Sequence, residues 1–384
     1  MRRIKKVFGN LRFIMKLKLL LGFALIYAIT SVNAQNATKY SNEFLQIGVG
    51  ARSLAMGGSS VASTRDVYSG YWNPAGLTGI DGNSQVSLMH AAYFAGIANY
   101  DYGAFATKLS NNNAFGISLV RFGIDGIANT FDLIRNGEID YSRVTSFNST
   151  DFAAIVSYGQ EDDLNIRKFR HMDFAWGMNM KIIRRKIGPF AKSFGFGFDA
   201  GIKLKNDEKN WSFGIVLRDA TSTFNSWRYT FTDAQKDVLA ATQNAIPQNS
   251  LEITLPRLLF GAAKEWEIDN WSILTEYNAD LTLDGKRNTL LKTDLFSIDP
   301  YLGAELGYQI NDKNKVFFRT GFNNVQKYTN KSGNHIWSVR PNAGVGIVLN
   351  KITIDYALTN LSALSGSGPS LYSNIFSLKL EINK

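Results

Sequence analysis

Cysteine is absent from this 384-residue chain, and histidine occurs only three times. Without thiols there are no disulfides, no thiolate metal sites and no cysteine nucleophile. His90, His171 and His335 are far apart, and none stands in a metal-ligand spacing such as His-Glu-x-x-His. No Gly-x-Ser-x-Gly elbow marks a serine nucleophile. Phosphate-cradling loops are missing too: Gly195 and Gly197 fall inside a predicted strand, and Gly366-Ser367-Gly368 has the composition of a flexible loop. Neither an enzyme, a cofactor nor a metal is expected. Beyond the N-terminal stretch, no apolar run approaches the ~20 residues that a helix needs to cross a bilayer. A soluble fold or a membrane β-barrel remains.

The first 34 residues stand apart from the rest. They carry Arg2, Arg3, Lys5, Lys6, Arg12, Lys16 and Lys18 and no acidic residue, followed by an apolar run from Leu19 to Ile29 and small residues up to Ala34. Those are the parts of an exported signal peptide, with cleavage expected after Ala34. The competing reading, a membrane anchor, needs a longer apolar run. Translation from Met15 would leave a more ordinary leader and the same mature chain. The whole sequence has a formal charge of +10, but without this leader 35 basic residues face 32 acidic ones. Nucleic acid is therefore not an expected partner.

From Ser84 onward the chain breaks into about fourteen short alternating segments, the period of two that strands require. The expected strands are 84–92, 97–108, 114–122, 150–159, 171–184, 193–204, 211–219, 257–268, 270–279, 299–310, 315–322, 341–349, 351–359 and 373–382. In the last, Phe376, Leu378, Leu380 and Ile382 alternate with Ser377, Lys379 and Glu381. Ile352 to Leu358 and Trp211 to Leu217 divide the same way, one face suited to lipid and the other to water. A soluble β-sandwich would also alternate, so alternation alone does not decide.

Connection lengths decide better, because outer-membrane barrels have short periplasmic turns and long extracellular loops. The short connections include 110–113, 206–210, 269–270, 311–314 and 350–351, rich in the Asn and Asp that tight hairpins favour. The long ones are 123–149, 220–256, 280–298, 323–340 and 360–372, and they fall at every second position, with 93–96 and 160–170 as mild exceptions. Aromatic residues make up 13% of the chain, and many, including Trp211, Trp271 and Tyr308, lie near strand ends, as interfacial girdles require. The expected fold is all-β: a transmembrane antiparallel β-barrel over 84–384 with a small N-terminal plug over 35–83, in the outer membrane and in contact with its lipid. Both chain ends are then expected at the periplasmic rim. One short helix is expected inside the loop 220–256, where Thr232 and Gln235 form a capping-box pattern ahead of Ala234 to Ala245 and Pro247 ends it. It would pack over the barrel mouth or meet a partner.

The plug segment contains Gln46-Ile47-Gly48-Val49-Gly50-Ala51-Arg52-Ser53-Leu54-Ala55-Met56-Gly57-Gly58, then Asp66, then Tyr71-Trp72-Asn73-Pro74-Ala75-Gly76-Leu77. Glycines let such a segment thread a lumen, Asn73-Pro74 sets a turn, and Arg52 and Asp66 are placed to pair. Arg52, Gly57, Gly58, Asp66, Trp72, Asn73 and Pro74 are thus taken as structural, with no ligand chemistry. The whole stretch resembles the PorV/PorQ family of the type IX secretion system, outer-membrane proteins of the Bacteroidota related to the FadL fatty-acid transporters. The match covers about residues 42–80, and the family's fourteen-stranded barrel agrees with the strand count. Gly50-Ala51-Arg52-Ser53-Leu54 and Gly76 depart from the core shuttle's pattern, which implies a paralogue.

The resemblance implies a non-enzymatic barrel that binds and anchors, or shuttles, type IX cargo through its C-terminal signal domain. A surface adhesin is one such cargo, and other outer-membrane components of the system are further implied partners. Aromatic residues in the long connections supply candidate contacts: Phe131 and Leu133 with Ile134; Phe224, Trp227, Arg228, Tyr229 and Phe231; and Trp337. The same residues could instead fold inward and close the barrel. The alternative function is a FadL-like transporter passing hydrophobic compounds through a lateral opening, which Gly-interrupted strands would permit.

Overall fold

A computed structural model describes residues 41–383, apart from 94–95, 136, 164–170, 284–288, 330–332, 334 and 361–371. The expected leader, its cleavage point and Gly366 to Gly368 lie outside the described residues. The alternating segments form one closed antiparallel sheet of fourteen wall strands. They are β1 (Ser84–Tyr93), β2 (Ala98–Lys108), β3 (Asn113–Asn129), β4 (Thr145–Asp162), β5 (Asp173–Ile187) and β6 (Ala191–Asn206). Two broken strands follow, β7a (Trp211–Arg218) with β7b (Thr223–Tyr229), and β8a (Ser250–Thr254) with β8b (Arg257–Ile268). The wall continues with β9 (Trp271–Thr282), β10 (Ser297–Asn311), β11 (Asn314–Thr329), β12 (His335–Leu349), β13 (Ile352–Asn360) and β14 (Tyr372–Ile382). Pairing of β1 with β14, from Ser84 opposite Ile382 to Ala92 opposite Asn374, closes the cylinder and leaves no free edge.

The side chains sort as lipid on one side and a packed lumen on the other demand. Along β6, Phe194, Phe196, Phe198 and Ile202 point outward and are exposed, while Ser193, Asp199 and Lys203 point inward and are buried. Leu378, Leu380 and Ile382 on β14 and Ile352, Ile354 and Leu358 on β13 continue the apolar exterior. At the short-turn rim the outward aromatics pair across strands: Tyr158 with Trp176, and Trp271 with Tyr308 at 4.7 Å between ring centres. This is the interfacial girdle read from the sequence. Among the described residues no helix is long and apolar enough to cross a membrane.

Two expectations need correction. The long connections are shorter than the alternation suggested, because β3, β4, β11 and β12 run on past the expected strand ends. Both ends of the region 220–256 are wall: β7b and β8a pair with each other, and β7b also pairs with β6. Above the ~25 Å apolar band both faces of a strand are wet, so the apolar alternation disappears although the ladder continues. Asp219 and Ser222 at positive φ interrupt β7, and Pro256 interrupts β8. What remains of the connection carries the expected helix, Asp233–Ala241, with both capping-box bonds between Thr232 and Gln235 in place.

Inside the cylinder, residues 41–83 fold into a plug with α1 (Ala51–Ala55), α2 (Ser69–Trp72), and the 3-10 turns Glu43–Gln46 and Pro74–Gly79; the loop helix Asp233–Ala241 is α3. The chain leaves the plug at Asn83, whose N–H bonds Ile382 O at 3.2 Å, so it enters β1 from the short-turn rim as expected. At its other end the plug lies higher. Ser41 Oγ donates to Glu252 and Asn42 Nδ2 to Thr254, both on β8a near the long-loop rim.

Asn73 shows how the sequence pins this plug. Its side-chain oxygen caps the 3-10 turn at Ala75 N, and its amide donates to Val61 O at 3.0 Å and Ile202 O at 3.1 Å. Replacing Asn73 with Ala removes a cap and leaves buried carbonyls without donors, a cost of about 2–4 kcal/mol when both effects act. The expected readout is a lower urea midpoint for loss of the folded, heat-shifted barrel on gel electrophoresis.

Candidate functional site

Three ionic clusters line the lumen, and the first and third tie plug to wall. Arg52 donates to both oxygens of Glu305, at 2.7 and 3.0 Å, and Arg319, 2% exposed, donates to the same carboxylate and to Asp355 at 2.7 Å. Asp66 accepts from Lys379 at 3.1 Å. The expected Arg52–Asp66 pair does not form; each residue bonds the wall instead, because both lie on the surface of the plug and face strands of opposite charge. Burial works against the Arg52 cation, yet Glu305 outweighs it and holds the group above its usual range. Burial likewise pushes the phenols of Tyr68 and Tyr71 upward, so both stay neutral.

The second cluster sits at the strand breaks. Lys181 donates to Asp199 at 2.7 Å and also to Asp219, while Asp219 N donates to Asp199 at 2.8 Å and Thr223 Oγ1 to Asp219 at 2.5 Å. The third joins Arg257 to Asp280 at 2.6 Å and to Gln46 of the plug at 3.2 Å. Arg218 donates to Tyr71 O and lies 4.9 Å over the Tyr71 ring.

Close packing completes the seal. Trp72 Nε1 donates to Val49 O at 2.9 Å, and Tyr71 Oη donates to Leu45 O at 2.6 Å, folding the plug upon itself. Gly57 adopts φ 69°, and a Cβ there would lie 2.9 Å from Phe322 backbone atoms. Wall Gly177 lies so near Pro74 that an added Cβ would stand 2.5 Å from its carbonyl carbon. Gly159, Gly214, Gly303 and Gly321 of the wall likewise clear space for the plug backbone. Cavities beside the plug hold about 20 Å³ among Asn42, Tyr71, Lys181, Asp219 and Arg257, about 60 Å³ among Gly58, Trp72, Leu259 and Tyr301, and about 180 Å³ among Arg65, Gly79, Phe174 and Lys203.

At the long-loop rim the structure gathers several sequence-picked aromatics and separates others. Phe131 and Phe231 meet each other and Phe190, with Phe147 against Phe190, Tyr229 stacked on Phe231, and Trp227 stacked on Tyr229. Trp227 is 3% exposed and lies under Arg185, on the lumen face of a wall strand and not in a loop. Phe224, Arg228 and Tyr229 share that strand; Phe224 packs outward on Phe196, and Arg228 is exposed on the outer face. Leu133 is half-buried beside the two-residue ladder Ile134–Arg135 with Glu138–Ile139. Trp337 is 56% exposed and joins none of these ring contacts among the described residues. Tyr141 and Leu295, exposed by 77% and 78%, also project from this rim, but no pattern in the sequence sets them apart from other loop residues. His90 bonds Asp101 at 2.7 Å on the outer face, and Asp101 also accepts from Arg121, a self-neutralising surface cluster. Among the described residues no group of three or more His, Asp or Glu is placed to hold a metal.

No family model matches the sequence, and no curated protein matches it. Solved structures do match in fold. The toluene transporter TbuX of Ralstonia pickettii superposes with a TM-score of 0.50 at 13% identity, covering 88% of this chain and 99% of its own. The toluene transporter TodX of Pseudomonas putida gives 0.51 at 12% identity, over 87% and 98% of the two chains. The CymD monoaromatic hydrocarbon channel gives 0.50 at 12% identity, over 88% and 98%. At such identities the likeness speaks for architecture, and together with the apolar exterior and one-sided loops it makes this chain a fourteen-stranded outer-membrane β-barrel of FadL-like fold.

Proposed function

We propose that this barrel passes hydrophobic small molecules through its wall. The observation that carries the reading is the paired interruption of β7 and β8. Between the pairs Arg218 with Arg257 and Thr223 with Thr254, residues 219–222 and 255–256 leave the ladder side by side. Among the described strands it is the one place where two neighbours are both broken. Outward, Phe198, Leu217, Phe224 and Ile253 surround it; inward, the 20 Å³ cavity and the Lys181 cluster lie behind it. The fold shared with proteins named as toluene transporters supports the reading. Cavities this small, against ~300 Å³ for an ordinary small-molecule site, belong to a closed state, so passage requires the plug to shift.

Uptake of labelled monoaromatic hydrocarbons and long-chain fatty acids tests it, in a deletion strain with and without the restored chain. Severalfold slower uptake at limiting concentration is expected on deletion. Unchanged uptake of every compound would contradict the reading.

A second reading, anchoring of type IX cargo, is favoured by the rim itself, where Ile134, Ile139, Tyr141, Leu283, Leu295 and Trp337 are all exposed. Deleting 232–246 removes α3 without touching the wall, whereas deleting 220–256 would remove β7b and β8a. If anchoring holds, trimming the rim at 133–141 or 232–246 lowers recovery of a surface protein co-purified from mild detergent. Recovery unchanged in both variants would count against it.

A further inference from the structure

The outer face of β5, β6 and β7b carries an unneutralised row of cations. Lys186 stands directly opposite Lys192, and Lys192 directly opposite Arg228. Arg184 lies on the same face, one outward position below Lys186. Opposed residues on adjacent strands have Cβ atoms only ~5 Å apart, and like charges so placed repel. All four are exposed, and none makes an ion pair among the described residues. The contrast lies on β1, β2 and β3, where Arg121 and His90 have Asp101 between them.

The height of the row is set by what lies beneath it. On β6 the outward residues from Leu204 up to Phe194 are Leu204, Ile202, Ala200, Phe198, Phe196 and Phe194, without one charge. At ~3.3 Å per residue and a tilt near 40°, that run rises about 25 Å, the height of a barrel's apolar band. On β5, Trp176, Met178, Met180 and Ile182 fill the same band, and Arg184 and Lys186 follow. The cations therefore begin where hydrocarbon ends, on the long-loop side, which faces the outer leaflet.

We propose that this row binds the phosphorylated glycolipid headgroup of the outer leaflet, with the acyl chains lying on the aromatic surface below. Phosphate oxygens are strong acceptors for Arg and Lys, and an anion bridging Lys186, Lys192 and Arg228 turns two repulsive pairs into attractive ones. Basic side chains at a membrane surface recognise anionic headgroups in this manner. The Phe194, Phe196 and Phe224 rings beneath supply an exposed apolar bed. One bound lipid would thereby cover the wall beside the strand breaks.

The test uses the full barrel purified in detergent, with phosphorylated lipid A and its dephosphorylated form as probes and native mass spectrometry as the readout. Each cation is expected to contribute roughly fivefold to affinity, so Lys192→Gln with Arg228→Gln binds lipid A about 25-fold more weakly. Arg228→Lys keeps most of the binding, and wild-type barrel discriminates against the phosphate-free lipid. Heat-shifted electrophoretic mobility checks that each variant is folded, and the comparison of the two lipids on wild type needs no variant. Equal binding of both lipids by wild type overturns the proposal, as does unchanged affinity in the folded double variant. So does retention of an acidic protein by wild type, lost in the variant while lipid A binding stays, which would make the row a protein interface.

Discussion

Glu305→Gln is expected to lower the stability of the plugged barrel by about 3–5 kcal/mol, the cost of removing one partner from a buried ionic cluster. The carboxylate receives Arg52 from the plug and Arg319 from β11, and Arg319 is held in turn by Asp355 on β13. A neutral amide leaves two guanidinium groups, the buried Arg319, which keeps the Asp355 carboxylate, and the partly buried Arg52. One of the two, Arg52, reaches only Glu305 by hydrogen bond, so it loses its charged acceptor altogether. The expected result is a markedly lower urea midpoint, with the plug digested by protease before the wall. Lys379→Met, which breaks a half-buried single pair with Asp66, is expected to cost less. A midpoint unchanged by Glu305→Gln would show that the cluster does not hold the plug.

Gly321→Val is expected to open the lumen. A Cβ at residue 321 would lie 2.2 Å from the Met56 carbonyl carbon and 2.5 Å from its oxygen, and both are plug backbone. No rotamer relieves a clash with main chain, so either the plug lifts or the wall bends. Around Gly321 the wall is held by ladder pairing on both sides, with β10 from Asn314 to Phe322 and with β12 beyond it, whereas the plug has isolated contacts. The plug therefore yields. In planar bilayers the wild type is expected to be silent to small ions and the variant to conduct. Gly103→Val is the control, since its Cβ would point outward and meet only Leu88 at 3.5 Å. Silence of a correctly folded Gly321→Val barrel would contradict the assignment of these glycines.

The two residues differ in how far the sequence exposed their roles. Gly321 is the next-to-last residue of the expected strand 315–322 and looks like any loop-flanking glycine; only the path of the plug reveals that its missing side chain is the point. Glu305 sits mid-strand on the face opposite Leu306, so its inward direction follows from alternation, but its partners come from residues 52 and 319, which no pattern links. The strand count and the asymmetry of the ends were readable because hydrocarbon imposes a period of two wherever a strand crosses it. The same physics explains the failures. Above the apolar band the constraint lapses, and β7b and β8a look like loop. Trp227, Tyr229 and Phe231 invited a reading as exposed contacts because polar residues surround them in sequence, yet the lumen mouth buries Trp227 and stacks the others. Arg228, one residue along, faces the opposite way and gains a different meaning beside Lys192.

The absence of cysteine permits a direct test of the topology, because any introduced thiol is unique. Asn244→Cys, in the loop after α3, is expected to react with a membrane-impermeant maleimide on intact cells, and Asp312→Cys, in the β10–β11 turn, only after the outer membrane is broken. Labelling of both on intact cells, or of Asp312→Cys alone, would contradict a lipid-embedded cylinder whose longest connections emerge on one side.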